Sequence, residues 1–134
     1  MRLKRDNDTL LLALNALEAR LLHKIFRQLV ENYRPAPGEL DPKTAAAWYS
    51  TRGCVAAKMS EEETREWLGQ LHAFKGARVE KLEDWSRQLA SGTSGDCRVR
   101  IAIDDVPTFM ASINDHRLLA AARHGIGQHE MDAH

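Results

Sequence analysis

The sequence predicts a predominantly α-helical α+β fold, a helical bundle with a small antiparallel sheet, and three observations carry that prediction. Short β-prone stretches stand near both ends, at residues 9–14 and 98–103. Each is followed by a helix-start signal, Asn15 in one case and Asp104 or Asp105 in the other. Between them run long segments with apolar residues at helical spacing.

Asp6, Asn7 and Asp8 are turn formers, so residues 2–14 read as a hairpin, with an extended first helix as the alternative. Asn15 with Glu18 three residues later forms a capping box, which starts a helix at Ala16. Leu17, Leu21, Leu22, Ile25, Leu29 and Tyr33 then mark its apolar face. Pro35, Pro37 and Gly38 make residues 34–40 a loop. Asp41 as N-cap and Pro42 in the first turn open a short helix that ends before Gly53. Ser60 and Glu63 form a second capping box, followed by a long helix to about residue 90, bent or broken near Gly76. Residues 91–96 are turn-rich, and the alternation of Val99, Ile101 and Ile103 against Arg98, Arg100 and Ala102 predicts a strand. The last helix is expected to bury Val106, Phe109, Met110, Ile113 and Leu118 and to end at Gly125, leaving a mobile tail at residues 127–134.

A length of 134 residues suits a single domain over residues 1–134, with ordinary hydrophobic (43%) and charged (28%) fractions that favour folding over disorder. Nineteen basic and nineteen acidic side chains cancel, so no long-range field draws in nucleic acid. The opening MRLKRDND is too polar for a secretory signal and the run at residues 10–14 too short for a membrane span, so a cytoplasmic location is expected. Cys54 and Cys97, far apart and without CxxC spacing, read as free thiols.

Two stretches resemble an uncharacterised bacterial family best known from actinobacteria. They are Leu14-Asn15-Ala16-Leu17-Glu18-Ala19-Arg20-Leu21-Leu22 and Ile113-Asn114-Asp115-His116-Arg117-Leu118. That family shows a Glu-Ala-x-x-Leu helix start and a Leu-Asn-Asp-Leu-Arg-Leu run, from which this chain departs at Ile113 and His116. The resemblance implies no activity. It implies a gene neighbourhood, because members are often encoded beside ClpS, the adaptor that hands substrates to the Clp protease.

Among candidate sites, Asn114 and Arg117 fall on the side of the last helix that Met110, Ile113, Leu118 and Ala121 mark as inward. With Asp115 and Glu18 they could bind a carboxylate or phosphate, Arg117 supplying a bidentate fork. The preferred alternative is a structural bridge, Arg117 to Glu18 or Asp115 to a neighbouring helix. Arg2, Lys4, Arg98 and Arg100 form a basic strip if the two end strands pair side by side with the same outward face, suited to an acidic partner or RNA, although no aromatic side chain interleaves with them. Trp67, Leu71, Phe74 and Trp85 follow one stripe of a long helix that one small domain cannot fully cover, which predicts a homodimer contact.

His124, His129 and His134 recur every five residues, a spacing that matches no compact metal site, so no metal is expected. Cys54 with His23 or His72 lacks a third member, and residues 92–95 lack the lysine of a phosphate loop. No cofactor is expected. The leading expectation is a non-enzymatic protein-interaction or regulatory module. A ligand-binding or catalytic domain centred on Asn114, Asp115 and Arg117 comes second, and a nucleic-acid regulator third.

Overall fold

Asn7 supplies the left-handed backbone (φ 54°) that a tight two-residue turn needs and that asparagine tolerates, and it closes a hairpin between β1 (Arg2–Asp6) and β2 (Thr9–Leu14). β2 also pairs antiparallel with β3 (Cys97–Ala102), giving the order β1-β2-β3. The computed structural model describes residues 1–90 and 97–125. The turn expected at residues 91–96, with the glycine-serine run inside it, and the expected mobile tail with His129 and His134 lie outside the described residues.

Strict alternation on β3 buries Cys97, Val99 and Ile101 beside Leu12 and Leu14 of β2, which forms the floor of the core. α1 (Ala16–Tyr33) packs against α5 (Val79–Ala90), and α5 runs beneath β3. The Asn15 side chain accepts from Glu18 N at 2.8 Å, and Glu18 accepts from Asn15 N at 2.9 Å, so the expected capping box is formed. The buried face of α1 differs from the expected one. It is Ala19, Leu22, Phe26, Leu29, Val30 and Tyr33, while Leu17 and Leu21 are exposed. Leu17 and Leu21 belong to an i, i+4 row that turns away from the row through Leu22, Phe26 and Leu29. Phe26, Trp85 and Phe109 meet edge to face or tilted, with ring centroids 5.6–6.1 Å apart, in the middle of the core.

α2 (Pro42–Trp48) starts as expected, with Asp41 accepting from Thr44 N at 3.1 Å and from Thr44 Oγ1 at 2.7 Å. A short α3 (Arg52–Ala56), which has no sequence signal, follows and stops at Lys58, whose φ is 56°. The long helical segment expected from residue 61 is broken just after Gly76, as expected, into two helices. α4 (Glu61–Gly76) begins with the Ser60–Glu63 capping box, and the chain breaks at Ala77 and Arg78 before α5.

That break corrects the single apolar stripe. Trp85 is 2% exposed inside the core and is no interface residue, Leu71 is half-buried against the core, and Phe74 is 71% exposed. Trp67 and Phe74, seven residues apart, do share an outward face of α4.

α6 (Val106–Arg123) begins without the expected side-chain cap: a 3-10 turn over Ile103–Asp105 leads into it, Asp105 already has helical backbone, and its carboxylate pairs with Lys81 at 3.1 Å. Gly125 ends it in the left-handed region (φ 72°), as expected. Its inward face is Ser112, Asp115 and Leu119, with Asn114 and Arg117 exposed, which corrects the placement inferred from sequence. The reason is in the spacing. The step from Ile113 to Leu118 is five residues, about 140° out of phase with a single face, whereas Ser112, Asp115 and Leu119 follow the three-four rhythm. Among the described residues, no helix is long and apolar enough to cross a membrane.

Candidate functional site

Two polar assemblies emerge, one closed and one open. The closed one centres on Asp115. Helical spacing on α6 turns its carboxylate inward, where the last residue of α1, Tyr33, donates its hydroxyl to Oδ2 at 2.7 Å. Lys75, near the end of α4, donates to the same oxygen at 3.0 Å, and Arg78, in the break between α4 and α5, at 2.7 Å. The indole of Trp48, at the end of α2, donates to the Asp115 carbonyl at 2.9 Å.

Lys75 Nζ also lies 5.4 Å from the centre of the Trp48 ring and 6.0 Å from those of Tyr33 and Tyr49, so the rings face a desolvated cation. Burial holds the Lys75 ammonium below the usual lysine range, and the bond to Asp115 opposes that shift. Burial, then the hydrogen bond to Asp115, pushes the Tyr33 hydroxyl far above the usual tyrosine range. The Tyr49 hydroxyl is buried without a hydrogen-bond partner.

Two cations thus share one carboxylate at a junction of four helices. Tyr33, Lys75 and Asp115 are all buried, so a substrate reaches the carboxylate only if the junction opens. The arrangement does the work of a structural bridge between α6 and α4.

The junction was only partly legible. Asp115 had been singled out, but Tyr33, Trp48, Lys75 and Arg78 had not. The available signal was the rhythm Leu68, Leu71, Lys75, which places Lys75 on the inner side of α4. Asn114 and Arg117 do not join it. Arg117 donates to Asn114 Oδ1 at 3.0 and 3.3 Å on the exposed side of α6. Glu18 meets Asn15 and the Met1 amino group rather than Arg117, and the Asn15 amide holds its carboxyl below the usual range. Cys54 is buried, and His72 Nε2 faces the Arg34 carbonyl at 3.2 Å, so no thiol and imidazole pair forms there. Among the described residues, no three His, Cys, Asp or Glu side chains gather as a metal site would require.

The open assembly is the outer face of the sheet. β1 and β3 are not neighbours, since β2 lies between them, yet the register puts their basic residues on one face. Arg2, Ala13 and Arg98 form one cross-strand row and Lys4, Leu11 and Arg100 the next. Rows across three strands span about 10 Å, so the four cations frame Leu11 and Ala13. None of the four side chains has a hydrogen-bond or ion-pair partner among the described residues. An open hollow of about 550 Å³ lies on this face, lined by Arg2, Lys4, Arg98, Leu11 and Ala13, with Glu18 at one end. Asp6 shares the face at the hairpin end.

The two sheet edges differ. On β3, the Arg100 amide donates to Gln88 Oε1 at 2.7 Å and the Arg100 carbonyl accepts from Gln88 Nε2 at 3.3 Å, so a side chain from α5 closes that edge. β1 has β2 on one side and is exposed along its whole length. The chain matches no family model, no curated protein and no solved structure.

Proposed function

We propose that this chain is a non-enzymatic protein-interaction module of the cytoplasm that binds an acidic partner on the outer face of its sheet. The observation that carries the reading is the set of four unpaired cations, Arg2, Lys4, Arg98 and Arg100, framing Leu11 and Ala13 on one surface. Cations around an apolar centre attract carboxylates while the centre contributes desolvated contact area. A protein partner is favoured over nucleic acid, because the face carries no aromatic side chain for bases to stack on and the chain has no net positive charge.

The resemblance to the family encoded beside ClpS is carried into this proposal, since a non-enzymatic binding role suits a neighbour of a protease adaptor. Of its two quoted stretches, one holds the Asn15–Glu18 capping box and the other Asp115, so both double as structural signals. Self-association belongs to the same proposal, with Trp67 and Phe74 of α4 as the contact. Sedimentation velocity showing only monomer at micromolar concentration removes that part.

The test is a fluorescence anisotropy titration with a labelled glutamate- and serine-rich peptide, set against a single-stranded RNA of equal length. The peptide should bind, binding should weaken with added salt, and the double variant Arg98→Glu, Arg100→Glu should lose affinity by about tenfold or more. Unchanged affinity in the charge-reversed protein overturns the reading, as does RNA binding more tightly than the peptide.

A further inference from the structure

We infer that β1 is a docking edge at which an extended segment of a partner protein, alternating acidic and apolar residues, joins the sheet as a fourth strand. The inference deepens the proposed function and rests on it, since it uses the same cations.

Three observations converge on β1. First, the two edges are not equally open, because Gln88 occupies the backbone of Arg100 in the middle of the β3 edge while β1 is exposed at all five residues. Alternate residues of β1 bond to β2, and the others leave their N–H and C=O groups on the open side, which is the template that strand addition uses.

Second, the two faces of β1 differ in chemistry. Arg2 and Lys4 point to the outer face. Leu3 lies opposite Leu12 and therefore points to the helix side, yet Leu3 is 64% exposed while Leu12 is 1% exposed. The helix layer covers β2 and β3, with α5 beneath β3, and leaves β1 overhanging. Arg5, the other residue on that side, is folded back with Nε donating to the Asn7 carbonyl at 3.1 Å. Leu21 is exposed on the flank of α1 turned away from His23 and Arg27, the side chains that border α5.

Third, charge selects the occupant. β1 carries three cations, Arg2, Lys4 and Arg5, against one carboxylate, Asp6, so a second β1 brings more positive charge to a strand that is already net positive, whereas a strand of carboxylates neutralises it. A strand with carboxylates on its outer face and apolar side chains on its inner face answers Arg2 and Lys4 on one side and Leu3 on the other.

The experiment uses the full chain and three labelled peptides of about ten residues, each alternating Glu and Val. One is unmodified, one is N-methylated at every Glu and one at every Val. In an added strand only alternate amides face β1, so one methylated peptide should lose affinity by about tenfold or more while the other stays within about twofold of the parent. The amides of β1 should gain hydrogen-exchange protection on binding the parent peptide. Equal binding by all three peptides overturns strand addition and leaves acidic docking on the sheet face standing. Binding of the glutamate-serine peptide without binding of the alternating one does the same. If no acidic peptide binds at all, this inference and the proposed function both fall. Dimerisation that competes with the peptide assigns the edge to a second copy and overturns the inference.

Discussion

The Tyr33 hydroxyl at the end of α1 donates to Asp115 Oδ2 on α6 at 2.7 Å, joining residues 82 positions apart at the point where Lys75 and Arg78 also arrive. One carboxylate therefore pairs with two buried or half-buried cations and orients a phenol. Removing it leaves all three donors without their acceptor, whereas removing one cation leaves a balanced pair.

Asp115→Ala should accordingly destabilise the protein by about 3–5 kcal/mol, because it strands charges away from water. Lys75→Met keeps the volume and leaves Arg78 on Asp115, and should cost less than about 1.5 kcal/mol. Urea unfolding of the two variants checks this. Equal losses would show that charge balance is not what the junction provides.

His116 gives the fold an acid-sensitive component. Burial lowers its pKa below the usual 6.5, and its Nδ1 is buried without a hydrogen-bond partner. The unfolded chain takes up this proton first, so stability falls as pH drops through 6.5, and the contribution is fully present only above that value. His116→Leu should flatten the change in unfolding free energy between pH 7 and pH 5. A variant with the same acid dependence as the parent would assign that dependence elsewhere.

The two helix-start signals near the chain ends should behave differently. Asn15→Ala removes a formed cap and should cost about 1 kcal/mol. Asp105→Ala removes only the pair with Lys81 and should leave the thermal midpoint nearly unchanged. A larger loss for Asp105→Ala than for Asn15→Ala would contradict the cap assignment.

Gln88→Ala should unfasten one sheet edge without unfolding the core. The Arg100 amide loses its acceptor on Gln88, so its hydrogen exchange should speed up while the amides of Val99 and Ile101 stay protected. Unchanged exchange at Arg100 would show that the edge is held by other contacts.

Phe74 and Trp85 were read as one stripe and should now separate. Phe74→Ser, on the exposed side of α4, should change stability by less than about 0.5 kcal/mol. Trp85→Ala, which empties the centre of the Phe26–Phe109 cluster, should cost about 3–5 kcal/mol. Calorimetric scans of both variants decide it.

Local signals were legible wherever one short segment supplied every partner. The Asn15–Glu18 and Ser60–Glu63 boxes, the Asp41-Pro42 start and the Asn7 turn all satisfy their own backbone within three or four residues. α3 was not legible, since Arg52–Ala56 carries no cap and no apolar rhythm. The Asp105 cap failed because a 3-10 turn over Ile103–Asp105 gives Asp105 helical backbone instead of the extended backbone of a capping residue.

By itself the sequence determined the helix starts at Ala16, Pro42 and Glu61 and the alternation that sets Arg98 and Arg100 on one side of β3, because capping and periodicity are properties of neighbouring residues. Only the tertiary structure decided that Asp115, rather than Asn114 or Arg117, turns inward to collect Tyr33, Lys75 and Arg78. It alone decided that β2 separates the two basic strands and that Gln88 seals one edge while β1 stays open. Those outcomes depend on which helix lies against which strand, and that is set by packing across the whole chain, which no local window contains.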